Sequence, residues 1–522
     1  MWSWLSLSTW RGTGQGATAL SGPVRVDRHG ERDGVGYVGP GWVVHFPEAA
    51  TPVDTTVELC PLCVWAAGLV IEGAFGMQAE PWSPGSWRGR QALQQPEYPD
   101  PAAYEAALAQ IGGYPPLVSV GEVAKLKQKI AAAGEGKAFI LQGGNCAERF
   151  IDCRAANIAN KLKILLQMSV ILTYGVRRPV IRIGRFGGQY AKPRSSEFEV
   201  IEGRSLPSYR GDAVNAVEPT PEARTADPSR LLSSYFFSAT TLNHIRALMD
   251  GGFADLHHPY KWNLHPIDKS RKWPEYKHVV ERILDAIHFM ESLGAQAETL
   301  GRVDFFASHE GLLLGYEEAL TRKDPDSDRF YNLGAHMLWI GARTRQLDGA
   351  HVEYFRGIAN PIGVKIDSAC TPEELVALLA ALNESDEPGR VTLITRLGVD
   401  RVEQVLPPLI EAVREAGHRP VWSCDPMHGN TVTTADGHKT RDFSVIVEEF
   451  QRTFRVHREC GSRLAGVHFE LTADDVTECV GGAEALTSDD LHRRYETYCD
   501  PRLNASQSLE MAFLIVQLLQ TS

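Results

Sequence analysis

From residue 137 onward, short β-branched and apolar runs alternate with amphipathic helical stretches, and this alternation constrains the fold more than any other feature of the chain. The strand candidates are "KAFILQGG" at 137, "PVIRIG" at 179, "VDFFAS" at 303, "HMLWIG" at 336, "PIGVKID" at 361, "VTLITRLG" at 391, "PVWSCD" at 420 and "AGVHFEL" at 465. Between them, apolar residues recur at three- and four-residue spacing. Over 401–417 they are Val402, Val405, Leu406, Leu409, Ile410 and Val413, and Gly417 stands where a left-handed residue closes a helix. Similar stripes run through 157–174, 371–382, 442–458 and 506–519. Eight βα units in one chain predict an α/β protein built as a (β/α)8 barrel over 137–522. One connection is abnormal: about 120 residues separate the second and third strands. This insertion, at about 186–302, contains the helical run "YKHVVERILDAIHFMESLG" and is expected to form a lid, a regulatory site or an oligomer contact.

Bulk composition narrows the function classes. With 43% apolar and 23% charged residues the chain is ordinary globular material, and a net charge of -12 without any Lys/Arg block argues against nucleic-acid binding. No apolar run reaches the roughly 18 residues a membrane span requires, because "VWAAGLVIEGAFGM" is broken by Glu72. Nine cysteines, irregularly spaced, do not make a disulfide framework and point to a reducing compartment. Cys60 and Cys63 form a lone C-x-x-C that lacks the second pair of a structural zinc site, and it is read as incidental. Residues 1–76 are Gly- and Trp-rich, fit neither a signal peptide nor a clean transit peptide, and are expected to have little order.

In a barrel of this kind the chemistry sits at the C-terminal ends of the strands. Strand one leads to Cys146, strand two to Arg185 and Lys192, strand four to Arg343, strand five to Lys365, strand six to Arg396, strand seven to His428 and strand eight to Glu470. Any one strand-end arginine is more often a salt-bridge partner than a ligand clamp. Several cations at one mouth are different, since they repel one another unless an anion lies between them, and a phosphorylated substrate is the natural occupant. The remaining side chains explain "VWSCDPMHGNT" at 421–431, which read alone is a turn that breaks a strand. Cys146, His428 and Glu470, joined by Asp500 from "YCDPRLN", make a mixed S, N and O set suited to Mn, Co, Fe or Zn, with the Asp-Pro turns at 425 and 500 aiming side chains inward.

Through "GGNCAERF", "GQYAKPRSS", "SHEGLLLGYEEALTR", "WIGARTRQLDGAH", "NPIGVKI", "LITRLG", "DPMHGNT" and "YCDPRLNASQSLE", the chain from about Trp82 to its C terminus closely resembles the type II (plant-like) 3-deoxy-D-arabino-heptulosonate 7-phosphate synthases. The resemblance implies a condensation of phosphoenolpyruvate with erythrose 4-phosphate, the first step of the shikimate pathway, on a barrel with a helical N-terminal extension, here 77–136, and one divalent metal ion, manganese first. It implies that Cys146, His428, Glu470 and Asp500 are metal ligands, and that Arg185, Ala342, Arg343, Lys365 and Arg396 hold phosphoenolpyruvate. Lys192, Arg194 and Ser195 of "KPRSS" then meet erythrose 4-phosphate, with Lys192 and Lys365 as the catalytic lysines. Two departures stand out: Ala342 occupies a position where the family carries an acidic residue, and Asp367-Ser368-Ala369 follows the fifth strand.

Two other readings keep the fold. An amino-sugar variant of the reaction in secondary metabolism would use the same metal and phosphoenolpyruvate residues. A non-catalytic paralogue would bind an aromatic amino acid or a partner such as chorismate mutase, yet has no reason to retain the complete ligand and clamp sets. A homo-oligomer is expected, located in the cytoplasm, or in the plastid of a photosynthetic eukaryote.

Overall fold

The computed structural model describes residues 82–201, 203–253, 273–292 and 304–520, together with four short strands nearer the N terminus. Those strands, Leu5–Thr9, Leu20–Asp27, Val35–Tyr37 and Val43–His45, pair antiparallel within a separate unit that ends at Pro81. The rest of 1–76, including Cys60 and Cys63, lies outside the described residues.

The second unit is a closed parallel barrel, and all eight strands expected from the sequence are its staves. They are β1 Phe139–Gly144, β2 Val180–Arg185, β3 Phe306–Glu310, β4 Met337–Ile340, β5 Ile362–Ile366, β6 Val391–Thr395, β7 Val421–Cys424 and β8 Leu464–Glu470. Closure comes from β8 pairing with β1, Gly466 opposite Ile140 through Glu470 opposite Gly144. Because helices cover the outside and side chains fill the inside, β1, β5, β6, β7 and β8 are buried along their whole length and read as continuous apolar runs rather than alternating ones.

The barrel helices follow the predicted stripes. Ala155–Val176, Pro372–Leu382, Val402–Glu415, Phe443–Glu459 and Ala505–Gln520 each turn an apolar face to the strands. Thr371 and Glu374 cap the second of these reciprocally, satisfying two orphan backbone donors. Gly417 is left-handed, at φ +76°, as the end of the third requires.

Two helices precede the barrel, Pro101–Gly112 and Val120–Gly134. The second seats Leu126, Ile130 and Ala133, all fully buried, among Ile140, Ile181, Ile183, Phe306 and Met337. It closes the end of the barrel opposite the C-terminal strand ends, and truncating Leu126 to Ala would cost about 2–5 kcal/mol. Between β2 and β3 the insertion contributes a hairpin, Phe198–Ile201 with Arg204–Pro207, and the helices Ser229–Asp250 and Trp273–Ser292. Among the described residues no helix is long and apolar enough to cross a membrane.

Candidate active site

The C-terminal strand ends surround a cavity of 320 Å³, lined by all twelve side chains singled out from the sequence. Seven Lys and Arg residues and three carboxylates face it, an imbalance that favours an anionic occupant.

On one side, ligand atoms of Cys146, Glu470 and Asp500 lie within 4.8 Å of one another. His428, carried by the loop after β7, stands beside this group: its Nε2 is 2.8 Å from Glu470 Oε1, and its Nδ1 is 2.7 Å from Asp425 Oδ2. A carboxylate behind the imidazole fixes its ring, the usual support for a metal-ligating histidine. Lys192 Nζ lies 2.9 Å from Cys146 Sγ and 2.5 Å from Asp500 Oδ2. Burial pulls the Lys192 pKa down, but the surrounding Cys146, Cys499 and Asp500 groups outweigh it and hold the ammonium form. One soft sulfur, one imidazole and two carboxylates fit a borderline divalent ion.

On the other side are Arg185, Arg343, Lys365 and Arg396. Two of these are already matched by buried acids: Arg185 Nη2 donates to Glu470 Oε1 at 3.1 Å, and Lys365 Nζ pairs with Asp425. Among the described residues Arg343 and Arg396 have no carboxylate partner; Arg396 Nη2 donates only to the carbonyl of His428, at 3.0 Å, and its buried Nε has no acceptor. Arg194 is paired with Glu199 at 2.7 Å, at the edge of the cavity with Ser195. Ala342 presents a methyl group between Gly341 and Arg343, while Asp367 turns to Arg345 at 2.9 Å and does not line the cavity.

A model of the class-II DAHP synthetase family matches residues 82–516. The chain belongs to that family. It is 49% identical over 451 residues to a phospho-2-dehydro-3-deoxyheptonate aldolase of Neurospora crassa, covering 83% of this chain and 93% of that protein. Proteins of the same name from Streptomyces coelicolor and Mycolicibacterium smegmatis are 47% and 45% identical, covering 84% and 83% of this chain and 98% and 93% of theirs.

Several side chains of this class-II site escaped the sequence reading. Asp425, taken there only as part of a turn, is fully buried, and its own carboxylate joins Lys365 to His428. Glu310 ends β3, which begins three residues later than the run at 303 suggests; its Oε1 is buried without a hydrogen-bond partner, and burial raises its pKa. Arg441, wholly buried after the hairpin Val432–Thr433/Lys439–Thr440, donates to Glu470 Oε2 at 2.7 Å. Lys439, from that hairpin, reaches Asp500 Oδ1 at 3.2 Å. His468 was legible in principle, since it lies two residues before Glu470 on the same face of β8. Its Nε2 accepts from Arg185 Nη1 at 2.8 Å, so the proton sits on Nδ1, which donates to Gln142 Oε1 at 2.8 Å. Gln142 Nε2 donates to Ser308 Oγ at 2.9 Å, and Ser308 to the carbonyl of Gly184 at 3.1 Å. Burial holds His468 neutral, well below the usual histidine range.

Cys499 stands beside Cys146: burial pushes the Cys146 thiol well up, whereas its hydrogen bond to Cys499 draws the Cys499 thiol down.

Proposed function

We propose that this chain condenses phosphoenolpyruvate with erythrose 4-phosphate and water, giving 3-deoxy-D-arabino-heptulosonate 7-phosphate and phosphate, the first step of the shikimate pathway. The observation that carries the reading is a single cavity in which two unmatched guanidiniums, Arg343 and Arg396, face a mixed S, N and O donor group. The phosphate and carboxylate of phosphoenolpyruvate supply the charge that Arg343 and Arg396 lack, with Arg185 and Lys365 beneath them. Arg194 and Ser195, with Lys192, face the phosphorylated aldehyde.

Cys146, His428, Glu470 and Asp500 would hold one divalent ion, manganese first and Co, Fe or Zn as alternatives. When bound, it supplies Lewis-acid polarisation of the aldehyde oxygen, an effect worth several kcal/mol. The methylene carbon of phosphoenolpyruvate forms the new C–C bond to the aldehyde carbon. Lys192, held as an ammonium, gives a proton to the oxygen that becomes the hydroxyl, a role worth about 10²- to 10⁴-fold for a positioned acid. Water adds to the former enol carbon, and phosphate leaves with cleavage of its C–O bond. Lys365, its pKa drawn down to about 8 by burial, is the second lysine suited to hold or move a proton near neutral pH.

Phosphate release from phosphoenolpyruvate, measured with and without erythrose 4-phosphate and with and without a chelator, tests this reading. Product analysis separates the amino-sugar variant, and absence of turnover would favour the regulatory paralogue. Repeating the assay with Trp, Phe, Tyr and chorismate mutase tests the expected effectors, and sedimentation tests the expected homo-oligomer. A reducing location, cytoplasm or plastid, agrees with a small number of irregularly spaced cysteines.

A further inference from the structure

Glu449 lies outside the cavity, on the inner face of helix Phe443–Glu459, and is 1% exposed. Its Oε1 accepts the backbone N–H groups of Leu397 and Gly398, at 3.1 and 2.9 Å, in the loop after β6. Its Oε2 accepts Asn430 Nδ2, at 2.5 Å, in the loop after β7. Asn430 extends the same link: its Oδ1 accepts the Val399 N–H at 3.1 Å, and its Nδ2 also donates to the Pro426 carbonyl at 2.9 Å. The two loops touch directly, since a Cβ on Gly429 would lie 2.4 Å from the nitrogen of Gly398, itself left-handed at φ +86°.

These contacts bear on Arg396, which is adjacent to Leu397 and whose guanidinium is aimed by the carbonyl of His428. We propose that Glu449 is a positioning residue that locks the β6 and β7 loops into one unit, and so sets the direction of Arg396 in the phosphoenolpyruvate site. The inference rests on the reading of Arg396 as a phosphoenolpyruvate ligand.

The chemistry at Glu449 is specific to a carboxylate. Every group facing its oxygens is a donor, so both oxygens must accept. A glutamine would set its NH2 against a donor in either orientation, and rotating Asn430 to compensate would forfeit its bonds to Val399 and Pro426. Burial raises the Glu449 pKa to about 7, so at pH 8 the carboxylate is mainly ionised and its oxygens accept all three bonds.

The test compares the wild-type chain with Glu449→Gln and Asn430→Ala at pH 8. Binding of phosphoenolpyruvate and of inorganic phosphate is measured by calorimetry, together with KM for each substrate and the thermal midpoint. Glu449→Gln is expected to weaken phosphoenolpyruvate about 10- to 100-fold and to move KM for erythrose 4-phosphate less than about twofold. Asn430→Ala is expected to weaken phosphoenolpyruvate as well, and the double variant to fall short of the product of the two single effects, since the two side chains share one bond. Unchanged phosphoenolpyruvate binding in Glu449→Gln, or equal losses for both substrates, would overturn the proposal. If that variant does not fold, Asn430→Ala is judged by the same two outcomes. A wild-type protein that binds phosphoenolpyruvate but forms no product would defeat the proposed reaction and leave the brace standing, because the binding arm needs no turnover.

Discussion

Raising the pH should weaken phosphoenolpyruvate binding, and Lys365 is the reason. It stands on β5 with its side chain buried, paired with Asp425 and flanked by the guanidiniums of Arg185 and Arg396. Burial is the largest influence and, with the two arginines, outweighs Asp425, bringing its pKa to about 8 from 10.5. A phosphate clamp needs the ammonium, so above pH 8 each ligand must bind with uptake of one proton. For one such group, affinity falls about tenfold between pH 7 and pH 9. The stability contribution runs the other way. Since the folded pKa lies below the unfolded one, the folded chain holds fewer protons than the unfolded chain between pH 8 and 10.5. This group's contribution therefore rises with pH across that window. Calorimetric titration with phosphoenolpyruvate from pH 7 to 9.5, in two buffers of different ionisation enthalpy, measures both affinity and proton uptake. Lys365→Arg, charged throughout, should flatten the profile. Constant affinity between pH 7 and 9 in the wild type, or no proton uptake at pH 9, would refute the reasoning.

Four other outcomes are expected. Arg396→Ala, which removes a cation without a carboxylate partner, should raise KM for phosphoenolpyruvate about 10- to 100-fold while leaving erythrose 4-phosphate nearly unaffected; equal effects would contradict the assignment. His428→Ala should abolish chelator-sensitive turnover with an unchanged far-ultraviolet circular dichroism spectrum, because the packed core lies below the mouth; retained turnover in metal-stripped protein would count against the ligand set. Oxidant applied to chelator-treated protein should join Cys146 to Cys499, which are in hydrogen-bonding contact, and silence catalysis reversibly. Mass spectrometry that finds no such crosslinked peptide, or a Cys499→Ser variant silenced equally, would dismiss this. Deleting residues 1–76 should leave activity intact, since every assigned side chain lies beyond Pro81; an inactive truncation would show otherwise.

The fold was legible because a barrel repeats one signal eight times, and strand periodicity with helix periodicity between is a local property of the chain. Arg185, Lys365 and Arg396 were legible for the same reason, being placed at the ends of strands whose limits could be read. Glu310 was lost to a boundary set a few residues early. Asp425 was lost because Asp-Pro is a common turn, and nothing local distinguishes an aspartate that shapes a turn from one that neutralises a lysine sixty positions away. Arg441 and Glu449 illustrate a deeper limit. The first follows a hairpin without periodicity, and the second sits on a helix where a charge reads as solvent-facing, so their burial is known only once the tertiary contacts are. Asp500, in a loop after β8, was legible only as the carboxylate that an Asp-Pro turn could aim at an otherwise incomplete donor set, a reading the family resemblance then supported.

The hydrogen-bonded chain beneath Arg185 carries a consequence for proton traffic. Its donors all point the same way: the guanidinium to His468, the imidazole to Gln142, the amide to Ser308 and the hydroxyl to a backbone carbonyl, where it stops. With an arginine that keeps its protons at the start and an amide in the middle, this hydrogen-bonded chain cannot relay a proton into the barrel. No acid or base equivalent reaches the reacting atoms along it, and beneath Arg185 it acts as an insulator.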